Sequence, residues 1–161
     1  LSLVIRDAQI KDSSDILRFI KELARYEKAE HEVTATVEMI EDSIFGTAST
    51  VKAVICERDG KSVGFAVYFF NYSTWQGKNG LYLEDLFVTE AERGTGAGRL
   101  LLRHLARIAV QENCGRFEWN VLDWNEPAIR FYKSIGAVEK SEWRGYQLVG
   151  EKLLALAESA N

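Results

Sequence analysis

Arg93-Gly94-Thr95-Gly96-Ala97-Gly98 sets glycine at alternate positions directly before a helix-like segment, Arg99–Asn113. Glycine lets a backbone turn sharply and approach a ligand closely. At a helix start, such a turn aims several unpaired N–H groups at one point. That is an anion site, most naturally for a phosphate or pyrophosphate. Just upstream, Glu84 and Asp85 sit inside an apolar run, Leu81–Val88. Charged side chains are awkward there, and a carboxylate can accept a proton directly or through water. On a regular strand the two point to opposite faces, so only one readily faces a given site. Downstream, Tyr132 in Ile129-Arg130-Phe131-Tyr132 offers a phenol. With a pKa of about 10 it can give up a proton to a leaving group without ionising at neutral pH.

The spacing of the glycines narrows the ligand. A dinucleotide fingerprint needs a glycine at position 99, which is Arg99, and Thr89–Arg93 separate the turn from its strand. Only Glu118, near the distance of a ribose-binding acid, speaks for that reading. A Walker loop needs Lys and Ser or Thr after its last glycine, where the chain has Gly98-Arg99-Leu100. Taken alone, the turn is also compatible with a helix entry that binds nothing.

Composition excludes several other classes. The 161 residues are 47% hydrophobic and 27% charged, with a net charge of −4. One domain with a real core is expected, spanning residues 1–161. The weakly acidic balance gives no footprint for nucleic acid. No apolar run approaches the roughly 18 residues of a membrane span. The start, Leu1-Ser2-Leu3-Val4-Ile5-Arg6, lacks a basic-then-apolar leader pattern. Cys56 and Cys114, with only His31 and His104 besides, suggest neither a disulfide framework nor a metal site. The expected home is a reducing cytoplasm.

These residues need a scaffold, and the rest of the chain predicts one. Leu3–Ala8 reads as a strand. Asp12 or Ser13 caps a helix with the stripe Ile16, Ile20, Leu23 and Ala24. Val37–Phe45 reads as a short helix capped by Thr36 and stopped by Gly46. Strands Val51–Glu57 and Ser62–Phe70 flank the hairpin signal Asp59-Gly60. Asn71–Gly80 reads as a loop and Leu81–Val88 as a strand. The helix after the glycines buries Leu101, Leu105, Ile108 and Ala109, and Gly115 closes it. Arg116–Val121 is a strand. Glu126–Ile135 is a helix with Asn125 as cap and Pro127 in its first turn, ended by Gly136. Two short strands and a helix, Glu151–Glu158, follow. The order predicts a mixed sheet, with antiparallel hairpins early and one parallel crossover late.

Arg93-x-x-Gly96-x-Gly98, after a strand and before a helix, resembles the acetyl-CoA signature of the GNAT superfamily of N-acetyltransferases. The order of elements matches that fold along the chain. Several separated stretches resemble the spermidine/spermine (diamine) acetyltransferase family: Lys21-Glu22-Leu23-Ala24-Arg25-Tyr26-Glu27, Tyr68–Trp75, Leu81-Tyr82-Leu83-Glu84-Asp85 and Asn125-Glu126-Pro127. Leu122-Asp123-Trp124-Asn125 is most similar to its thialysine acetyltransferase branch.

The resemblance implies an α/β GNAT fold, with a mixed, mostly antiparallel sheet splayed between its fourth and fifth strands and helices on both faces. It implies acetyl transfer from acetyl-CoA to a primary amine of a small molecule, and a homodimer. Acetyl-CoA would be held by Leu86, Phe87 and Val88, by Arg93, Gly94, Thr95, Gly96, Ala97, Gly98 and Arg99, and by Asn125, Pro127, Ala128 and Tyr132. A thioester is already an activated donor, so no metal is required. A free alkyl amine has a pKa of about 10.4, so on the order of one in a thousand is neutral at pH 7.4. The resemblance chooses Glu84 as the base, acting through water, and Tyr132 as the acid. An amide within Leu86–Val88 would meet the oxyanion if the strand is bulged there. Tyr26, Glu27 and Asp85 fall on the substrate side, with Trp75 and Trp124 as candidate walls. Arg99, Arg103 and Arg107 read as a solvated helix face. The chain departs from the animal polyamine enzymes after Gly136-Ala137, which looks shorter. An acidic pair expected before Trp143 is reduced to Ser141-Glu142. Diamines, polyamines and lysine-like amines are the acceptors the resemblance implies; this departure counts against long polyamines and leaves short diamines or lysine-like amines open. A protein acetyltransferase and a non-catalytic acyl-CoA sensor are the alternatives.

Overall fold

Two compact units divide the chain after Leu122 in the computed structural model, which describes residues 2–160. The first begins with β1 (Leu3–Asp7), a turn of 3₁₀ helix over Ile10–Asp12 and α1 (Ser13–Tyr26). Asp12 does not cap α1. Its carboxylate instead accepts from Arg6 at 2.8 Å and from the Gln9 amide at 2.7 Å, and the Arg6 guanidinium holds it below the usual carboxylate range. Helix α2 (Val37–Phe45) starts where expected, with the Thr36 hydroxyl accepting from the Met39 amide at 3.2 Å.

Strands β2 (Val51–Arg58) and β3 (Lys61–Ser73) are joined through Asp59 and Gly60, at φ 53° and 77°. Positive φ at both central residues is the hairpin turn that Asp-Gly favours. Next, β4 (Lys78–Val88) pairs antiparallel with β3. The predicted loop over Asn71–Gly80 is mostly ladder: Asn71, Tyr72 and Ser73 pair with Gly80, Asn79 and Lys78, leaving only residues 74–77 to turn. The side chains there are polar because the hairpin runs into solvent. A backbone ladder does not require apolar side chains.

Helix α3 (Ala97–Gln111) follows, then β5 (Phe117–Glu118). Asn113, at φ 55°, ends α3 in place of Gly115, and the Cys114 amide donates back to the Ala109 carbonyl at 2.8 Å. Asparagine tolerates that left-handed conformation better than most residues. The sheet order is β1-β2-β3-β4-β5, with β5 parallel to β4 and the other pairs antiparallel. The strand expected over Arg116–Val121 keeps only two residues. Leu81↔Phe117 and Tyr82↔Glu118 form the whole seam, so the sheet opens between its fourth and fifth strands.

Alternation along the strands divides the core between the two faces. Ile16 and Phe19 of α1 and Ile40 of α2 pack on Ala53, Ile55, Phe65, Val67 and Phe87. The alternate residues Val54, Cys56 and Ala66 are buried on the other face, as are Leu101 and Leu105 of α3. Phe19, absent from the predicted stripe, is fully buried and stacks on Phe65 at 5.4 Å.

The second unit holds α4 (Glu126–Ser134) and α5 (Gly150–Glu158). Gly136, at φ 89°, turns the chain after α4, and the Ala137 amide donates to the Tyr132 carbonyl at 3.0 Å. Between Gly136 and α5 the two predicted short strands are absent among the described residues. Alternating side chains do not make a strand without a ladder partner, and Val138, Trp143 and Tyr146 stand exposed in that stretch.

Candidate active site

The glycine turn is built as the sequence predicts. A 3₁₀ turn, Glu90–Glu92, leads into it. Glu92 is held by Arg58, whose Nε lies 3.0 and 2.8 Å from its two carboxylate oxygens. That guanidinium keeps the Glu92 carboxyl below the usual carboxylate range. The Thr95 hydroxyl donates to the Glu92 carbonyl at 2.6 Å. Gly94 and Gly96 have φ of 79° and 92°, the left-handed region that disfavours a Cβ. Gly96 precedes α3, and the first helical bond runs from the Leu100 amide to its carbonyl at 2.9 Å. The amides of Ala97, Gly98 and Arg99 therefore precede the helical ladder, at the positive end of the helix dipole. A Cβ added at Gly94, Gly96 or Gly98 would meet nothing within 4 Å, so the turn faces open space. Those amides and that space fit a pyrophosphate. Arg99, Arg103 and Arg107 form the exposed face expected of them.

Arg93 does something the sequence did not disclose. Its guanidinium lies over the ring of Tyr26, 5.2 Å from the centroid, and over that of Phe87 at 5.7 Å. It thereby links the glycine turn to α1 and β4.

The bulge in β4 is real but lies two residues earlier than the Leu86–Val88 window. Val67 pairs with Asp85 and Tyr68 with Leu83, so Glu84 is the extra residue. Beyond it the register is regular, with Ala66↔Leu86, Phe65↔Phe87 and Gly64↔Val88. The donors still point the useful way. The Thr89 amide donates to the Val63 carbonyl at 2.8 Å, and antiparallel alternation then turns the Leu86 and Val88 amides toward the edge that β5 leaves.

The bulge also breaks the simple alternation of the two acids. Asp85 falls in the row of Phe65, Val67 and Phe87, which faces α1, while Glu84 stays exposed. Half-buried there, Asp85 is pushed up to about 6, by burial first and then by the charges of Glu84 and Glu27. Glu27 ends α1, its amide donating to the Leu23 carbonyl at 2.9 Å, and burial raises its carboxyl too. The charges of Glu27 and Glu84 thus both bear on the half-buried Asp85. Tyr26, 40% exposed, is the last residue of α1, beside Glu27. Trp75 stands at the tip of the β3–β4 hairpin, 90% exposed. Six residues of strand separate Lys78 from Glu84, about 20 Å at the usual rise, so Trp75 does not wall this chain's own acids.

In the second unit, α4 carries Pro127 in its first turn and Tyr132 in its C-terminal half. Asn125 opens the helix through its carbonyl, which accepts from the Ile129 amide at 3.0 Å, but its side chain makes no capping bond. The Tyr132 ring is half-buried and tilts against Phe131 at 5.9 Å. Glu142 is exposed and paired with Lys140 at 3.2 Å. Bonding to its own backbone amide, then that pairing, lowers its carboxyl.

A sheet opened between its fourth and fifth strands, with a glycine helix entry and an acid-bearing bulge, defines an acyl-CoA-dependent acyltransferase. Residues 16–137 match the model of the Acetyltransferase (GNAT) family, and the chain belongs to that family. It is therefore an acetyl-CoA-dependent N-acetyltransferase. The thialysine N-epsilon-acetyltransferase of Mus musculus is 37% identical, the alignment covering 95% of this chain and 96% of that one. The human spermidine/spermine N(1)-acetyltransferase-like protein 1 is also 37% identical over 95% of this chain, which spans 23% of that longer relative. Among solved structures, an integron cassette protein from the mobile metagenome of V. cholerae superposes with a TM-score of 0.83, at 32% identity and 99% coverage of both chains. Among the described residues, no helix is long and apolar enough to cross a membrane and no three His, Cys, Asp or Glu gather as metal ligands.

Proposed function

We propose that the protein acetylates the side-chain amine of a small lysine-like amino acid or a short diamine. The observation that carries this reading is the half-buried Asp85, with the charges of Glu84 and Glu27 bearing on it. Burial and the charges of Glu84 and Glu27 make the ionised form of Asp85 costly, a cost that a cation relieves, and a protonated amine is the cation that an acetyl acceptor brings. The similarity to a thialysine acetyltransferase supports a lysine-like acceptor. So does the single acid before Trp143, which leaves less negative charge than a long polyamine would need.

In this reading the two units act as one acetyltransferase domain, and two chains form a homodimer in the cytoplasm. The amides of Ala97, Gly98 and Arg99 hold the pyrophosphate of acetyl-CoA, which supplies an activated acetyl thioester. Asn125, Pro127 and Ala128 contact its pantetheine arm. Glu27 and Asp85 bind the ammonium form of the acceptor. Glu84, exposed on the bulge, takes the ammonium proton through water and leaves a neutral nucleophile. The Leu86 and Val88 amides stabilise the charge that builds on the acyl oxygen as the amine attacks. Tyr132 protonates the departing thiolate.

The test is turnover of acetyl-CoA with thialysine, lysine, ornithine, a short diamine, spermidine and a lysine-bearing peptide. The expected result is the highest kcat/KM with the lysine-like amino acids or the short diamine. A peptide that outruns them would replace this reading with a protein acetyltransferase.

A further inference from the structure

The sites proposed for donor and acceptor are separate along the chain, yet one side chain touches the framework of both. Arg93 begins the glycine turn, and its amide is fixed by the Glu90 carbonyl at 3.1 Å. Its guanidinium leaves that turn and covers Tyr26 at 5.2 Å and Phe87 at 5.7 Å. Tyr26 adjoins Glu27 at the end of α1. Phe87 lies between Leu86 and Val88, whose amides face the opened edge, and it packs on Phe19 of α1 at 6.2 Å. The contact therefore joins three elements that bear functional groups.

We infer that Arg93 is a positioning residue that couples the two substrate sites, so that filling the glycine turn orders the end of α1 and tightens amine binding. The inference rests on the proposed amine acetyltransferase reading. Its physical basis is the planar guanidinium, which can lie flat on two rings while its stem is tied to the turn. An anion seated on the turn fixes the backbone from which that stem departs. The rings beneath then lose freedom, and the acceptor meets a site already ordered. Linkage requires the reverse effect to be equal: the amine must tighten the donor by the same factor. A cation–π contact at a partly exposed site supports coupling of about three- to fivefold.

Two measurements test this, one of which needs no ligand. In the first, amide hydrogen exchange of residues 23–29 is compared between wild type and Arg93→Gln without ligands. Faster exchange in the variant, with the thermal midpoint little changed, is expected. In the second, coenzyme A affinity is measured by calorimetry with and without saturating thialysine. Wild type should show tightening of about three- to fivefold, Arg93→Gln a factor near one, and Arg93→Lys, which keeps the charge, an intermediate value. Unchanged exchange, or a coupling factor in Arg93→Gln equal to that of wild type, overturns the inference. Failure of wild type to bind coenzyme A at all would sink the acetyltransfer reading instead, and the exchange measurement would still decide whether Arg93 orders α1.

Discussion

Replacing Asp85 by Asn should stabilise the protein at neutral pH while impairing its affinity for the amine. The folded-state value is about 6 against an ordinary 3.8, with burial the main cause and Glu84 and Glu27 the next. Between those values the folded chain holds a proton that the unfolded chain has released. Stability therefore falls as pH rises through about 4 to 6 and stays lowered above that window. A shift of about two units corresponds to about 3 kcal/mol, and partial exposure reduces it, so about 1–3 kcal/mol is expected. Asn is close to Asp in shape and cannot ionise, so it removes this cost. Urea unfolding of both proteins at pH 4 and pH 7.5 checks the sign. The variant should gain about 1–3 kcal/mol at pH 7.5 and differ by less than about 0.5 kcal/mol at pH 4. Parallel stability curves, or a wild type more stable than the variant at pH 7.5, would refute the claim that Asp85 is an unrelieved acid. The same variant should raise KM for the amine and leave KM for acetyl-CoA nearly unchanged, which steady-state kinetics resolves.

Tyr132→Phe should lower kcat at least about a hundredfold, as loss of a general acid does, with little change in acetyl-CoA affinity by calorimetry. Gly96→Val places a branched side chain at φ 92° and should weaken coenzyme A binding and cost about 1–3 kcal/mol of stability by denaturant titration. Phe19→Ala empties the centre of the α1 face and should cost about 3–5 kcal/mol, lowering the urea midpoint without any direct effect on the donor turn.

Features set by a few adjacent residues were legible in the sequence. Asp59-Gly60, Thr36, Pro127 and the glycine turn each act through local backbone geometry, and each stands where expected. The chemistry of Asp85 was half legible. An acid in an apolar strand signals a perturbed group, but its coupling to Glu27 requires α1 to end beside β4, a contact across much of the chain. A bulge entered only as a condition for a free amide within Leu86–Val88; it lies at Glu84, because it is a property of the register between β3 and β4, not of either strand alone. Polar composition hid the outer part of the β3–β4 hairpin. Alternating apolar residues overstated β5, which pairs with β4 only at Leu81 and Tyr82 although β4 runs on to Val88. The stack of Arg93 on Tyr26 and Phe87 left no signal in spacing, since those residues come from three separate elements.

The two-residue seam between β4 and β5 has a consequence for solubility. Beyond Tyr82, β4 continues through Leu83, Leu86, Phe87 and Val88 with no strand paired along its far edge among the described residues. A long apolar edge of this kind invites pairing with another chain and so aggregation. Glu84 and Asp85 interrupt it with a kink and two negative charges, the features by which natural sheets deter such pairing. Asp85, proposed to bind the ammonium, and Glu84, proposed to take its proton, thus also fit the role of gatekeepers on this edge. Neutralising both would favour edge-to-edge association as well as impair the proposed turnover, which constrains how far this strand can change.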